Sequence, residues 1–211
     1  MKHFAPRRKS IITLIAVTAI VGLSATEFIQ RSDGVAKQAV PTSNFTNYES
    51  AHVHPLDKTP DGTKLLAVNT ANNALEVYTI GAAGILHSAS IPVGLEPVTV
   101  RARSNTEAWV VNQVSDEISI VDLTLNAVVR SLTTENEPAD LVFAGSTLKA
   151  FVSCAENESV QVFNLSNLDA APTVVLLKGE QPRALAVSPD GGSVYAAFFE
   201  SGNQTTVIPG N

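Results

Sequence analysis

One cysteine, one methionine and one tryptophan are found in 211 residues, and aromatics make up only 6% of the chain. The single thiol, Cys154, excludes an internal disulfide, a CxxC metal site and a CxxCH haem attachment. It falls on a predicted inner strand with no base nearby in sequence, so it reads as a small buried hydrophobe rather than a nucleophile. GxSxG, HExxH, the P-loop and the dinucleotide glycine pattern are all missing, which removes the usual sequence marks of those chemistries. Basic residues are scarce, with 14 Lys and Arg against 20 Asp and Glu. That balance argues against a nucleic-acid partner or an anionic lipid surface.

What is present is a repeat. Ala108-Trp109-Val110-Val111-Asn112, followed by Glu117-Ile118-Ser119-Ile120-Val121-Asp122, has counterparts on both sides. Leu66-Ala67-Val68-Asn69 with Leu75-Glu76-Val77-Tyr78 precedes it. Phe151-Val152-Ser153-Cys154 with Val160-Gln161-Val162-Phe163, then Tyr195-Ala196-Ala197-Phe198 with Thr206-Val207-Ile208, follow it. The opening residues Leu66, Trp109, Phe151 and Tyr195 advance by 43, 42 and 44 positions. That period is one four-stranded propeller blade. The fold class expected is therefore all-β, a β-propeller of four-stranded antiparallel blades with three complete blades and a partial fourth. The turns Thr59-Pro60-Asp61-Gly62 and Ser188-Pro189-Asp190-Gly191 support it, because Pro fixes φ and Gly admits positive φ.

A lone strand from Phe45 to Tyr48 would bring the strand number to that of a closed four-bladed ring. Four is near the lower limit of blade number, so an open arc is favoured. In an open arc, flank residues such as Leu65, Leu75, Val194 and Val207 are expected to meet water.

The N-terminus has the layout of a secretory signal: Lys2, Arg7, Arg8 and Lys9, an apolar run from Ile11, and small residues up to Ala25. The run falls short of the ~20 residues that span a bilayer, so removal is favoured over anchoring. Ser10 stands where a twin-arginine signal carries a large apolar residue, so that reading is weak. The domain reading is residues 1–25 as signal peptide, 26–43 as a flexible lead and 44–211 as blades. Cleavage leaves ten basic against twenty acidic residues, a net charge near −10. Periplasmic or secreted localisation follows, with no stable membrane span after signal removal.

Acidic residues recur in the loops that should share one end of the blades: Glu96, Glu137 and Glu180 before inner strands, with Asp116, Glu156 and Glu200 between second and third strands. Clustered carboxylates raise the local concentration of counter-ions, so this rim suits a protein or small ligand of basic or cationic character. The competing reading is a solubilising rim repeated with the blade. Arg101 and Arg103 alternate on an inner strand, where they either reach a central channel or pair with acids of a neighbouring blade. His52 and His54 project to one side of an extended segment, but a third or fourth metal ligand is not recognisable. No metal and no cofactor are expected.

The repeat resembles the YVTN-type β-propeller family. Trp109-Val110-Val111-Asn112 and Leu66-Ala67-Val68-Asn69 stand for the Tyr-Val-Thr-Asn strand, and Ile118-Ser119-Ile120-Val121-Asp122 for the strand that follows. Pro97, Pro138, Pro182 and the Ser188–Gly191 turn match the rest of the unit, while Cys154 and Phe198 depart from its Asn. The resemblance covers Val53 onward and implies an exported bacterial propeller with further blades. The expectation for function is a non-enzymatic binding scaffold acting through its acidic loop face. The alternative is the propeller fragment of a larger periplasmic redox enzyme, linked to a c-type cytochrome, or of a hydrolytic enzyme, with the catalytic part expected beyond Asn211.

Overall fold

The computed structural model describes residues 49–145 and 148–200. The signal and lead readings, the strand at 45–48 and the one at 205–208 lie outside them. Blade one consists of β1 (Leu56–Lys58), β2 (Lys64–Asn69), β3 (Ala74–Gly81) and β4 (Gly84–Pro92). Blade two has β5 (Pro97–Ala102), β6 (Glu107–Asn112), β7 (Glu117–Asp122) and β8 (Ala127–Thr133). Blade three has β9 (Pro138–Ala144), β10 (Lys149–Cys154), β11 (Ser159–Asn164) and β12 (Thr173–Leu176). Blade four contributes β13 (Glu180–Val187) and β14 (Val194–Glu200). Each sheet is an antiparallel meander in chain order, and among the described residues no sheet closes on itself. Among the described residues the blades form an open arc.

Strand alternation sends each blade's side chains to two neighbours. Trp109, Val111, Ile118 and Ile120 pack with Leu141, Ala150 and Val152 between blades two and three. Val100, Ala108, Val110 and Val121 pack with Leu66, Leu75 and Val77 between blades one and two. Val142, Val160 and Leu185 begin a third layer between blades three and four. Blade two is covered on both faces, so β6 is buried without a break from Ala108 to Asn112. β14, covered on one face among the described residues, is apolar from Val194 to Phe199, yet its exposure alternates along most of the strand. Leu75 is 0% exposed, so its expected contact with water is corrected: its side of β3 faces blade two, not the open flank.

The blades are locked together at one end by a repeated turn device. Asn73 and Asp116 adopt left-handed φ of 52° and 50° in the β2–β3 and β6–β7 turns. Their side-chain oxygens accept from the backbone N–H of Glu96 at 2.8 Å and Glu137 at 2.9 Å in the following loops. The other end carries the two Pro-Asp-Gly turns. Gly62 and Gly191 have φ of 71° and 69° and donate to Thr59 and Ser188 carbonyls, both at 2.8 Å. A Cβ would strain that left-handed geometry.

Candidate active site at the inner strands

β1, β5, β9 and β13 are the first strands of their blades, and they are tied to one another across blade boundaries. Asp140, in the middle of apolar β9, is 1% exposed. A buried carboxylate must be hydrogen-bonded and paired. Its oxygens accept from the backbone N–H of Leu141 and of Leu185 on β13, each at 2.8 Å, and from Arg101 Nη2 of β5 at 3.0 and 3.1 Å. Arg101 Nη1 extends the chain to His54 Nε2 at 2.9 Å. Arg101 therefore pairs with the acid of the following blade, the inter-blade alternative among the sequence readings. Its Nε is buried with no hydrogen-bond partner among the described residues.

A guanidinium only donates, so His54 Nε2 is the acceptor and the ring carries its proton on Nδ1. Burial, then the Arg101 charge, push the His54 pKa below its ordinary value, with Asp140 and Asp57 pulling the other way. The result is a neutral imidazole beside a fixed cation. Hydroxyls continue the ties: Thr99 Oγ1 accepts from His54 N–H at 3.1 Å and donates to Ala139 O at 2.8 Å, and Ser153 Oγ donates to Arg183 O at 2.7 Å.

The two sequence-flagged histidines do not converge. Thr70 Oγ1 donates to Pro97 O at 2.7 Å, so His52 Nε2 supplies the proton of its own 2.5 Å bond to Thr70. Arg103 turns back to Glu107 on its own blade at 2.8 Å.

The rim acids take separate positions. Glu96 and Glu137 occupy left-handed loop positions with φ of 50° and 53°, and Glu96 Oε2 accepts from Ser50 N–H at 3.0 Å as well as from its hydroxyl. Asp116 Oδ1 is used by the Glu137 N–H. Glu180 and Glu200 face each other across β13 and β14, and Glu156 is exposed in the β10–β11 turn. Among the described residues no three His, Cys, Asp or Glu groups come together as a metal site. Cys154 is fully buried, and burial followed by the Glu135 charge pushes its thiol up to about 12.

An apolar cleft of about 500 Å³ opens between blades three and four, lined by residues such as Phe151, Val162, Val175, Leu185, Tyr195 and Phe198. It has the size of a ligand site but no charged group in its wall, so catalytic chemistry points to the His54–Arg101–Asp140 chain instead. Sequence reading found Arg101 but missed Asp140 and Arg183. The available signal was a charged residue inside an otherwise apolar inner strand, Pro138-Ala139-Asp140-Leu141.

A family profile described as "Lactonase, 7-bladed beta-propeller" matches residues 16–208, and the chain belongs to that family. No curated protein matches the chain. Among solved structures, hydrazine synthase of Kuenenia stuttgartiensis superposes with a TM-score of 0.64 at 17% identity, over 78% of this chain and 46% of that one. A Bacteroides uniformis protein provisionally assigned as a 6-phosphogluconolactonase gives 0.59 at 14% identity, over 73% and 52%. The WD40 propeller domain of Doa1 gives 0.56 at 11%, over 68% and 45%. These likenesses show the propeller fold, and the chain spans about half the length of the structures it matches.

Membership of a lactonase family overturns the expectation of a non-enzymatic scaffold acting through an acidic face. The hydrolytic form of the alternative agrees with the family. The accompanying expectation that the chain is not an enzyme is corrected with it.

Proposed function

We propose that this chain carries part of the hydrolytic site of a lactonase-type propeller, and that His54, Arg101 and Asp140 act in opening a cyclic ester with water. The observation that carries the reading is the Arg101 bridge: a neutral imidazole and a carboxylate-anchored guanidinium meet where three inner strands join. Once Arg101 Nη1 releases the Nε2 lone pair it occupies in this structure, neutral His54 takes a proton from water on that nitrogen as the water oxygen adds to the lactone carbonyl carbon. The carbonyl electron pair moves to oxygen, and the positive charge of Arg101 stabilises that oxyanion. Collapse breaks the ring C–O bond, the leaving alkoxide takes the proton back from the imidazolium, and a hydroxy acid leaves. Asp140 touches no substrate in this scheme. It positions Arg101, whose side chain keeps 19% of its surface open.

The lactone named in the Bacteroides uniformis assignment and glucono-δ-lactone are the first substrates to test, followed by pH-stat titration of the acid released. His54→Gln is expected to lower the rate by about 10²-fold or more, and Arg101→Met by about 10²–10³-fold. Hydrolysis unaffected by either substitution would remove the site from the reaction.

The finer repeat assignment, a YVTN-type unit, rests on the Trp109–Asn112 and Ile118–Asp122 strands together with Pro97, Pro138 and Pro182. Export to the periplasm or beyond is part of the same reading, supported by the basic start and apolar run that end near Ala25.

A further inference from the structure

Blades two, three and four begin alike. Val98, Ala139 and Arg183 each follow a buried proline, preceded in turn by a left-handed residue: Glu96, Glu137 and Gln181. Counting back from the shared Pro-Asp-Gly turn, as Pro182 stands six before Ser188, puts Val53 in the proline's place in blade one and His52 in that of the left-handed residue. His52 is not left-handed, and the chain approaches from a different direction.

That approach crosses the inside of the arc. Ser50 is held by the Glu96 carboxylate of blade two through both its N–H and its hydroxyl. Ala51 O accepts from Arg183 Nη2 of blade four at 3.1 Å, across 132 residues of sequence. His52 donates to Thr70 of blade one. Val53 and His54 then settle on β5, donating to Val98 O at 3.1 and 3.3 Å, and His54 forms a parallel bridge to Thr99. One short segment thus touches blades one, two and four and ends at the imidazole of the proposed site.

What holds it is polar. Ala51 and His52 are exposed, and Ser50 and Val53 are only partly covered. Segments with few buried apolar contacts open at low cost compared with core strands. The Arg183 contact is a cation spent on a neutral carbonyl, weaker than the charge-assisted bonds an anion would make with the same guanidinium.

We propose that Ser50–Val53 is an autoinhibitory strap over the inner-strand site, latched by Glu96 on one side and Arg183 on the other, and released when an anion displaces the Ala51 carbonyl from Arg183. This rests on the placing of the site at His54, Arg101 and Asp140. The anion would engage Arg183, the strap would leave Glu96, and His54 would gain freedom to give up Arg101.

Hydrogen–deuterium exchange of the full chain tests this without any lactone. Arg183→Ala and, separately, Glu96→Gln should speed exchange of the Ser50, Val53 and His54 amides at least ten-fold while leaving β6 and β7 unchanged. Inorganic phosphate should produce the same rise in the parent protein relative to chloride at equal ionic strength, and no further rise in Arg183→Ala. Unchanged strap exchange in both variants, or in the parent with phosphate, overturns the proposal. Lactone hydrolysis is read separately: loss of strap control with intact hydrolysis, or the reverse, shows which of the two readings has failed.

Discussion

Arg101 Nη2 reaches both carboxylate oxygens of Asp140, at 3.0 and 3.1 Å, from a neighbouring blade 39 residues away. The acid is almost fully enclosed, with 2% of its side chain exposed, while 19% of the arginine side chain remains open. Burying such a pair gains little net stability, since the desolvation of both charges offsets their attraction. Its effect is geometric: the carboxylate, held by two backbone N–H groups on β9 and β13, fixes where the guanidinium points.

Removing the cation leaves Asp140 buried without a partner charge. Arg101→Met is expected to destabilise the fold by about 3 kcal/mol, the lower end of the range for broken buried pairs because the arginine is part-exposed. Pairing it with Asp140→Asn should recover part of that loss. Urea unfolding of the two single variants and the double variant measures it, and additive losses would show that the pair is uncoupled.

The His54 pKa lies below its ordinary value in the folded chain, by burial first and the Arg101 charge second. Between that lowered value and the unfolded value near 6.5 the unfolded chain binds more protons, so stability falls as pH falls through this window. Above 6.5 the contribution is fully present. Urea midpoints measured from pH 7.5 to 5 should decline in the parent and flatten in His54→Gln. A parallel decline in the variant would assign the effect to another group.

With its thiol pushed up to about 12, chiefly by burial, Cys154 should resist iodoacetamide at pH 8 until the protein is unfolded. Mass spectrometry before and after adding urea distinguishes this from a reactive thiol, which would be alkylated in the native protein.

Trp109 is the sole tryptophan, fully buried between blades two and three, with its ring edge-on to Phe143 at 5.3 Å and Nε1 donating to Glu107 at 2.7 Å. Its emission should be blue-shifted and poorly quenched by acrylamide. Phe143→Ala should increase quenching and cost roughly 3 kcal/mol, the low end for truncating a core aromatic, because Phe143 is only partly buried. Ready quenching in the parent would contradict that packing.

Export is tested by making the chain in a Gram-negative host and sequencing the mature N-terminus. The basic start and small residues before Ala25 predict processing near Thr26. An intact Met1 in the cytoplasmic fraction would end the reading.

The repeat was legible because each blade solves the same local problem. Alternating apolar residues, a turn proline and a glycine at positive φ recur at a fixed step, so Trp109, Ile118 and Gly62 announce strand, strand and turn with no tertiary information. The sequence by itself determined blades, strand order and the inner position of Arg101. Only the tertiary structure decided the partners. His54, Arg101 and Asp140 come from different parts of the chain, and their meeting depends on how inner strands are staggered across blade boundaries, a relation that no local spacing encodes. What each acid of the rim meets was hidden for the same reason. Recurrence put Glu96, Glu137 and Glu180 in comparable loops, but Glu96 serves Ser50 and Glu180 faces Glu200, because each carboxylate answers to the neighbours that folding supplies.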